Sequence, residues 1–205
     1  MDANALLSTA QECAEFLSGQ LHRDWSAAIP EMDMTVAQVV AHIADCVHWY
    51  SYDLAAGPVE LSTMEAKVRP ESEPAELVVT LGTTAKVLAA MVATSSPDAR
   101  GWHPWGIADA SGFAAMACDE LLVHTSDAAR GLGVEFSPTP RLAAAALYRL
   151  FPWTPMDTDP WPTLLWANGR ASLPGHPRLT KWRWHCAPLS EWDGSAPISE
   201  GPAVG

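Results

Sequence analysis

The stretch TVAQVVAHIADCVHWY, residues 35–50, decides the fold class of this chain. Its apolar residues recur mostly at spacings of three and four, which is the signature of an amphipathic helix with one face on a core. Thr35 followed three residues later by Gln38 forms a capping box, which marks the start of a helix. We therefore predict a helix from about Val36 to Leu54.

Three further segments carry the same helical spacing. They are residues 4–21 with Asn4 as the N-cap, the stretch from Pro74 through Val92, and residues 111–130 ending at Gly131. Proline suits the first turn of a helix, and glycine is common just after its end. Four amphipathic helices joined by loops are typical of a four-helix bundle, whose facing side chains commonly build metal and ligand sites.

The composition changes after the bundle. A short helix is predicted from Arg141 to Phe151, and six of the ten tryptophans lie from Trp153 onward among prolines and glycines. This pattern indicates irregular structure or short strands, for instance in the run TLLW at residues 163–166. We predict a bundle domain over 1–135 and a small irregular or α+β extension over 136–205, packed on the bundle, whose residues 191–205 form a tail with little to bury.

The charge balance disfavours two classes of partner. The chain has 24 acidic and 12 basic residues, a net charge of -12, which repels nucleic-acid phosphates and anionic lipid headgroups. No stretch approaches the roughly 20 apolar residues of a membrane span, and residues 1–20 lack a signal-peptide pattern. The four cysteines are scattered and are interpreted as reduced thiols. We predict a cytoplasmic protein with a small-molecule substrate and no nucleic-acid or membrane partner.

One constellation of side chains predicts a metal site. Glu120 and His124 are four residues apart on the fourth helix and project from one face, and His42 lies beside the apolar stripe of another helix. A carboxylate and an imidazole in an apolar interior need partners, and a divalent cation satisfies both. Three protein ligands with one open position are typical of catalytic zinc. Asp127, one turn beyond His124, is a candidate to orient that imidazole.

A simpler interpretation of these residues stays open. Glu and His at helical spacing are common on solvated faces, and an isolated histidine beside an apolar stripe is more often a hydrogen-bonded core residue. Cys46, within one turn of His42, is interpreted as packing.

Candidate substrate-binding residues lie in two other segments. Arg100, His103 and Trp105 shortly precede the fourth helix and are placed to line the mouth of a pocket, or else the tryptophans close one end of the bundle. Arg183 belongs to a basic cluster that suits an anionic ligand. The cluster consists of Arg170, Arg178, Lys181 and Arg183, beside Trp166, Trp182 and Trp184. The preferred interpretation of that cluster is that it docks the extension on an acidic bundle.

The segments at residues 35–44 and 119–128 resemble the mycothiol-dependent maleylpyruvate isomerase family, a branch of the DinB-like metal-binding bundles. In that family a histidine of helix two and a Glu-x-x-x-His pair of helix four bind the metal, and these positions match His42, Glu120 and His124 here. The resemblance covers about the first 131 residues. It implies a mainly α, DinB-like four-helix bundle with zinc and with mycothiol as cofactor or co-substrate.

The resemblance also implies an activity. The expected enzyme is a zinc-dependent thiol transferase or isomerase, which activates a low-molecular-weight thiol for transfer to, or isomerisation of, an electrophilic small molecule. The same open metal site suits a thiol-independent hydrolase or lyase. A third alternative is a noncatalytic small-molecule-binding module with a structural metal. The residues leave open the substrate, the choice among zinc, nickel, manganese and iron, and whether the protein is a monomer or a homodimer.

Overall fold

Four long helices form the body of the molecule. The structure is a computed structural model that describes residues 1–196. The long helices are α1 (Ala3–Ser18), α2 (Val36–Ala56), α3 (Pro74–Thr94) and α4 (Ala110–Gly131). The remaining elements are the two-residue strands β1 (Arg100–Gly101) and β2 (Ala108–Asp109), the helices α5 (Pro140–Leu150) and α6 (Pro160–Ala167), and a 3-10 turn at Leu189–Glu191. The predicted mainly α bundle is confirmed.

The helices begin where the sequence supplies a group for the free backbone N–H donors of the first turn. At α2 the predicted capping box is confirmed, because the Thr35 hydroxyl accepts from the Gln38 backbone N–H and the Gln38 side chain accepts from that of Thr35. The predicted cap of α1 is wrong by two residues. Asp2, not Asn4, accepts from the Ala5 backbone N–H at 2.8 Å, and Asn4 lies inside the helix.

Helix α4 is the central element. Every residue from Gly112 to Thr125 is buried. The bundle helices α1 and α2 pack along α4 on one side, and α5 packs along it on the other. The side chains of α4 therefore contact protein on all sides of the helix. A helix at the surface, by contrast, buries only one face.

Helical structure continues to Ala167, and residues 168–196 are irregular apart from the 3-10 turn. Helix α5 packs on α4, and α6 packs on α5. The run at residues 163–166 lies in α6, so the prediction of a strand there is wrong. Asp159 accepts from the Trp161 backbone N–H, and Pro160 occupies the first turn, which together start a helix despite the short apolar run. Residues 197–205 of the predicted tail lie outside the described residues.

Buried Arg149 of α5 ties the extension to the start of α4. Its guanidinium donates to the Asp109 carboxylate and to the backbone carbonyls of His185 and Cys186. A buried arginine of this kind is stable only when its donors are satisfied. The contact therefore holds the segment around residue 185 next to the N-terminal end of α4.

Helix α3 is the most apolar of the long helices. By length and composition it could cross a membrane, and it is the only such helix among residues 1–196. In this structure it packs against α1 and α2 through buried residues such as Leu81 and Leu88, while Val79 and Val87 are exposed. Core helices commonly pass the same test, so its hydropathy is weak evidence for a span.

The strands β1 and β2 form a small hairpin between α3 and α4 that lies close to α2. Gly101 makes this approach possible, since a Cβ there would lie 2.7 Å from the backbone oxygen of Asp53. The Trp102 backbone N–H donates to the Gly57 carbonyl at 3.0 Å. The connector between the strands, residues 102–107, is therefore held next to the C-terminal half of α2.

Candidate metal centre and its cavity

Three side chains predicted from the sequence converge in the structure. His42 of α2 and Glu120 and His124 of α4 each offer a ligand atom within 4.8 Å of the others. The Glu120 Oε2 atom lies 3.1 Å from His124 Nε2 and 3.8 Å from His42 Nε2. The two imidazole rings meet edge to face, with centroids 5.0 Å apart. Such a group of two imidazoles and a carboxylate is a possible metal-binding triad.

One atom of Glu120 shows that the triad fits a cation. Glu120 is only 8% exposed, and its Oε1 accepts a hydrogen bond from the Tyr50 hydroxyl at 3.1 Å. Its Oε2 is buried and has no hydrogen-bond partner among residues 1–196, because the nearby His124 Nε2 is in ion-pair range without hydrogen-bond geometry. A buried carboxylate oxygen without a partner is costly, and a first-row divalent cation suits this donor set.

The far side of the His124 ring is held by an acid and an arginine. His124 Nδ1 lies 3.0 Å from Asp127 Oδ2, and the Arg170 guanidinium donates to the same oxygen at 3.1 Å. If Nδ1 carries the proton in this contact, the Nε2 lone pair points towards Glu120 and His42, which is the tautomer that a metal ligand needs. Asp127 thus lies where the sequence predicted. Arg170, a member of the basic cluster expected to dock the extension on the bundle, reaches it from 43 residues away.

The pKa values of Glu120 and His124 are shifted in opposite directions. Burial raises the pKa of Glu120, but the close contact with His124 and its charge outweigh burial and lower it. Burial lowers the pKa of His124, but the contacts with Asp127 and Glu120 outweigh burial and raise it. Without a cation the two groups therefore form an ion pair. A metal at this position would displace a proton from His124.

A cavity of about 480 Å³ opens onto the triad. One wall is a face of α2 and another is α4. The others come from the loop after α2, from the hairpin connector and from the extension. His103 and Trp105, both predicted for the pocket mouth, line this cavity. Arg100 and Arg183 are not among its lining residues in the described part of the chain, and Arg100 forms an ion pair with Glu191 at 3.4 Å. Their role in substrate binding stays a prediction.

Two lining groups are held neutral by burial. Burial lowers the pKa of His103 to about 4, and its Nδ1 accepts from the Trp105 backbone N–H. The Cys46 thiol lies 3.6 Å from His42 Nε2, and burial together with the charge of Glu120 raises its pKa well above the ordinary value. Cys46 is therefore a neutral thiol beside the triad, and all four cysteines are free.

The sequence interpretation missed most of the cavity walls. A signal was present on α2, where His42, Cys46, Trp49 and Asp53 follow at spacings of four, three and four and so share one face. No such signal marks Trp182 and Trp184, which reach the cavity from the extension. Asp119 is also buried there and accepts from the Trp184 indole N–H and the Asn168 amide.

Comparison with known families gives one match. A sequence model described as the mycothiol maleylpyruvate isomerase N-terminal domain matches residues 6–129, which contain the three residues of the triad. Comparison with curated proteins and with solved structures gave no match. The family expected from residues 35–44 and 119–128 is confirmed. The chain belongs to the mycothiol maleylpyruvate isomerase N-terminal domain family.

Proposed function

We propose that this protein is a cytoplasmic, metal-dependent enzyme that activates a low-molecular-weight thiol, mycothiol in the first instance, for transfer to or isomerisation of an electrophilic small molecule. The observation that carries the proposal is the buried Oε2 of Glu120, which accepts no hydrogen bond and faces two imidazoles where a cavity of about 480 Å³ ends. Family membership supports an isomerase-related enzyme. Zinc is the metal we propose, because two histidines and one carboxylate form a typical catalytic zinc set.

His42, Glu120 and His124 would hold the metal. When bound, such an ion lowers the pKa of a thiol or water that it contacts, which supplies a nucleophile at neutral pH. The chain's own residues arrange the ligands for that task. Tyr50 holds one oxygen of Glu120, and Asp127 holds His124 by its Nδ1.

The rest of the cavity would bind the substrate and exclude water. Trp105, Trp182 and Trp184 form a continuous aromatic surface, with ring centroids 4.8 to 6.1 Å apart, which we call the tryptophan wall. Asp119 accepts from the Trp184 indole at 2.9 Å and so orients one of these rings. Indole faces bind apolar and aromatic groups and keep solvent away from a reacting centre.

Metal analysis tests the first half of the proposal. We expect about one equivalent of metal in the purified protein and almost none in His124→Ala, measured by elemental analysis. The control is His22→Ala, which removes an exposed histidine outside the triad. Unchanged metal content in His124→Ala would contradict coordination by α4.

Turnover assays test the second half. Metal-loaded protein is incubated with candidate electrophiles in the presence and absence of mycothiol. Thiol-dependent turnover supports the transferase or isomerase, whereas turnover without thiol replaces it by a hydrolase or lyase. Binding without any turnover replaces it by a noncatalytic binding module.

A further inference from the structure

Asp53 is an unpartnered acid at the end of the cavity away from the triad. It lies on the same face of α2 as His42, lines the cavity and is only 8% exposed. Its carboxylate makes no hydrogen bond or ion pair with any described residue. The carboxylate thus faces the cavity with no partner from the protein, and a cation that enters the cavity can supply that partner.

The charges near Asp53 do not neutralise it. Glu60 also lines the cavity, and its charge raises the pKa of the Asp53 carboxyl further. Among residues 1–196, the only arginine or lysine in the lining is Arg170, whose guanidinium already donates to Asp127. The cavity therefore presents uncompensated negative charge at this end.

The tryptophan wall supplies the second half of a recognition surface. Three indoles in mutual contact offer a broad apolar face, and Trp49 and Trp102 add further indoles to the lining. Indole faces attract cations as well as apolar rings. The same indole faces carry no positive charge that could attract an anion.

We propose that Asp53 and Glu60 form a cation subsite, which binds a positively charged nitrogen of a substrate whose apolar or aromatic body lies on the tryptophan wall. The subsite adds a substrate class to the proposed function. Binding of the cation does not depend on that function, but a reaction of the bound substrate at the triad does. An ammonium group satisfies the buried carboxylate of Asp53, whereas a carboxylate in its place is repelled by both acids. The cavity thus selects cationic electrophiles over dicarboxylates.

The spacing along α2 sets the shape of that substrate. Asp53 follows His42 by 11 residues, which is roughly 16 Å along a helix axis at 1.5 Å per residue. The charged nitrogen and the reacting carbon therefore belong to opposite ends of the molecule. Small cations without an apolar body are expected to bind weakly.

Three matched probes test the charge preference on the purified full-length protein by quenching of tryptophan fluorescence. The probes are benzyltrimethylammonium, phenethyl alcohol and hydrocinnamate, which are similar in size and carry a positive, zero and negative charge. We expect the ammonium to bind at least about tenfold more tightly than hydrocinnamate. Equal or tighter binding of hydrocinnamate overturns the proposal.

Variants assign the preference to the subsite. Asp53→Asn and Glu60→Gln should each narrow the ratio between the two charged probes by about threefold to tenfold. Glu135→Gln, which removes the same charge from an exposed position outside the cavity, should leave the ratio unchanged. Glu60 is itself exposed, so that variant stays informative if Asp53→Asn folds poorly. An unchanged ratio in both subsite variants contradicts the assignment.

The outcome is separable from that of the proposed function. Benzyltrimethylammonium has no lone pair and cannot ligate a metal, and the titration needs neither thiol nor turnover. The same preference is expected in His124→Ala. Loss of the preference with intact metal binding refutes only the cation subsite, and loss of metal binding with an intact preference refutes only the proposed metal centre.

Discussion

The two ends of the cavity are built in opposite ways. At the triad end, Tyr50 holds Glu120, and Asp127 with Arg170 holds His124, so polar groups are braced by neighbours. At the far end, Asp53 is buried without such a partner, and it lines the same cavity as the tryptophan wall. A braced set of ligands suits a constant occupant such as a metal ion, and an unsatisfied acid suits a ligand that enters and leaves.

Of the changes proposed for the two ends of the cavity, removing the charge of Glu120 should have the largest effect, and that effect is on metal affinity. Glu120→Gln keeps the size of the side chain but replaces the proposed ligand oxygens by a weaker amide. We expect metal affinity to fall by more than about 100-fold and activity to disappear with it. Competition with a metal-sensitive dye measures the affinity, with Glu135→Gln as the control. Comparable affinity in the two variants would show that the triad does not bind the metal.

Weakening the brace behind His124 should have the next largest effect. Asp127→Asn can no longer offer a carboxylate to His124 Nδ1 and Arg170, so we expect a 10- to 100-fold loss of metal affinity, a range typical of such partners. The same dye competition measures it, alongside the Tm of the metal-free protein. A lower Tm with unchanged metal affinity would assign Asp127 a purely structural role.

At the far end, the ionised carboxylate of Asp53 should lower the free energy of unfolding at neutral pH. Burial and the charge of Glu60 raise the pKa of Asp53 from 3.8 to about 6. The folded state thus binds this proton more tightly than the unfolded state, and the free energy of unfolding falls as pH rises between these values. Asp53→Asn should therefore be more stable than the parent at pH 7, by on the order of 1 kcal/mol, and equal to it below pH 4.

Urea unfolding of the metal-free proteins at both pH values measures this difference. The control is Glu135→Gln, because Glu135 is an exposed acid outside the cavity. A stability gain for Asp53→Asn that is the same at both pH values would mean that the ionisation of Asp53 is not its cause.

The smallest effect is expected at Tyr50. Tyr50→Phe removes the hydrogen bond to Glu120 Oε1 and leaves the ring packing in place. Since a typical hydrogen bond contributes about 0.5–1.5 kcal/mol net, we expect a loss of metal affinity of about twofold to tenfold. A loss as large as that of Asp127→Asn would indicate that Tyr50 does more than hold one oxygen.

The site shows which features were predictable from residues. His42, Glu120 and His124 were identified because helical spacing and apolar neighbours are local properties, and the capping box at Thr35 marked the start of α2. Arg170 and Trp184 were missed as cavity residues because nothing near them in sequence points to α4. The strand expected at residues 163–166 was wrong, because the cap formed by Asp159 and Pro160 outweighed the short apolar run.

The sequence by itself determined the bundle and the three residues of the possible metal-binding triad, since hydrophobic periodicity and helix caps act within a few residues. Only the tertiary structure decided that Asp53 would be buried without a partner and that Trp182 and Trp184 would line the same cavity. Burial and charge compensation depend on which distant segments pack together. Those segments meet only after α5 and the residues beyond it fold back along α4.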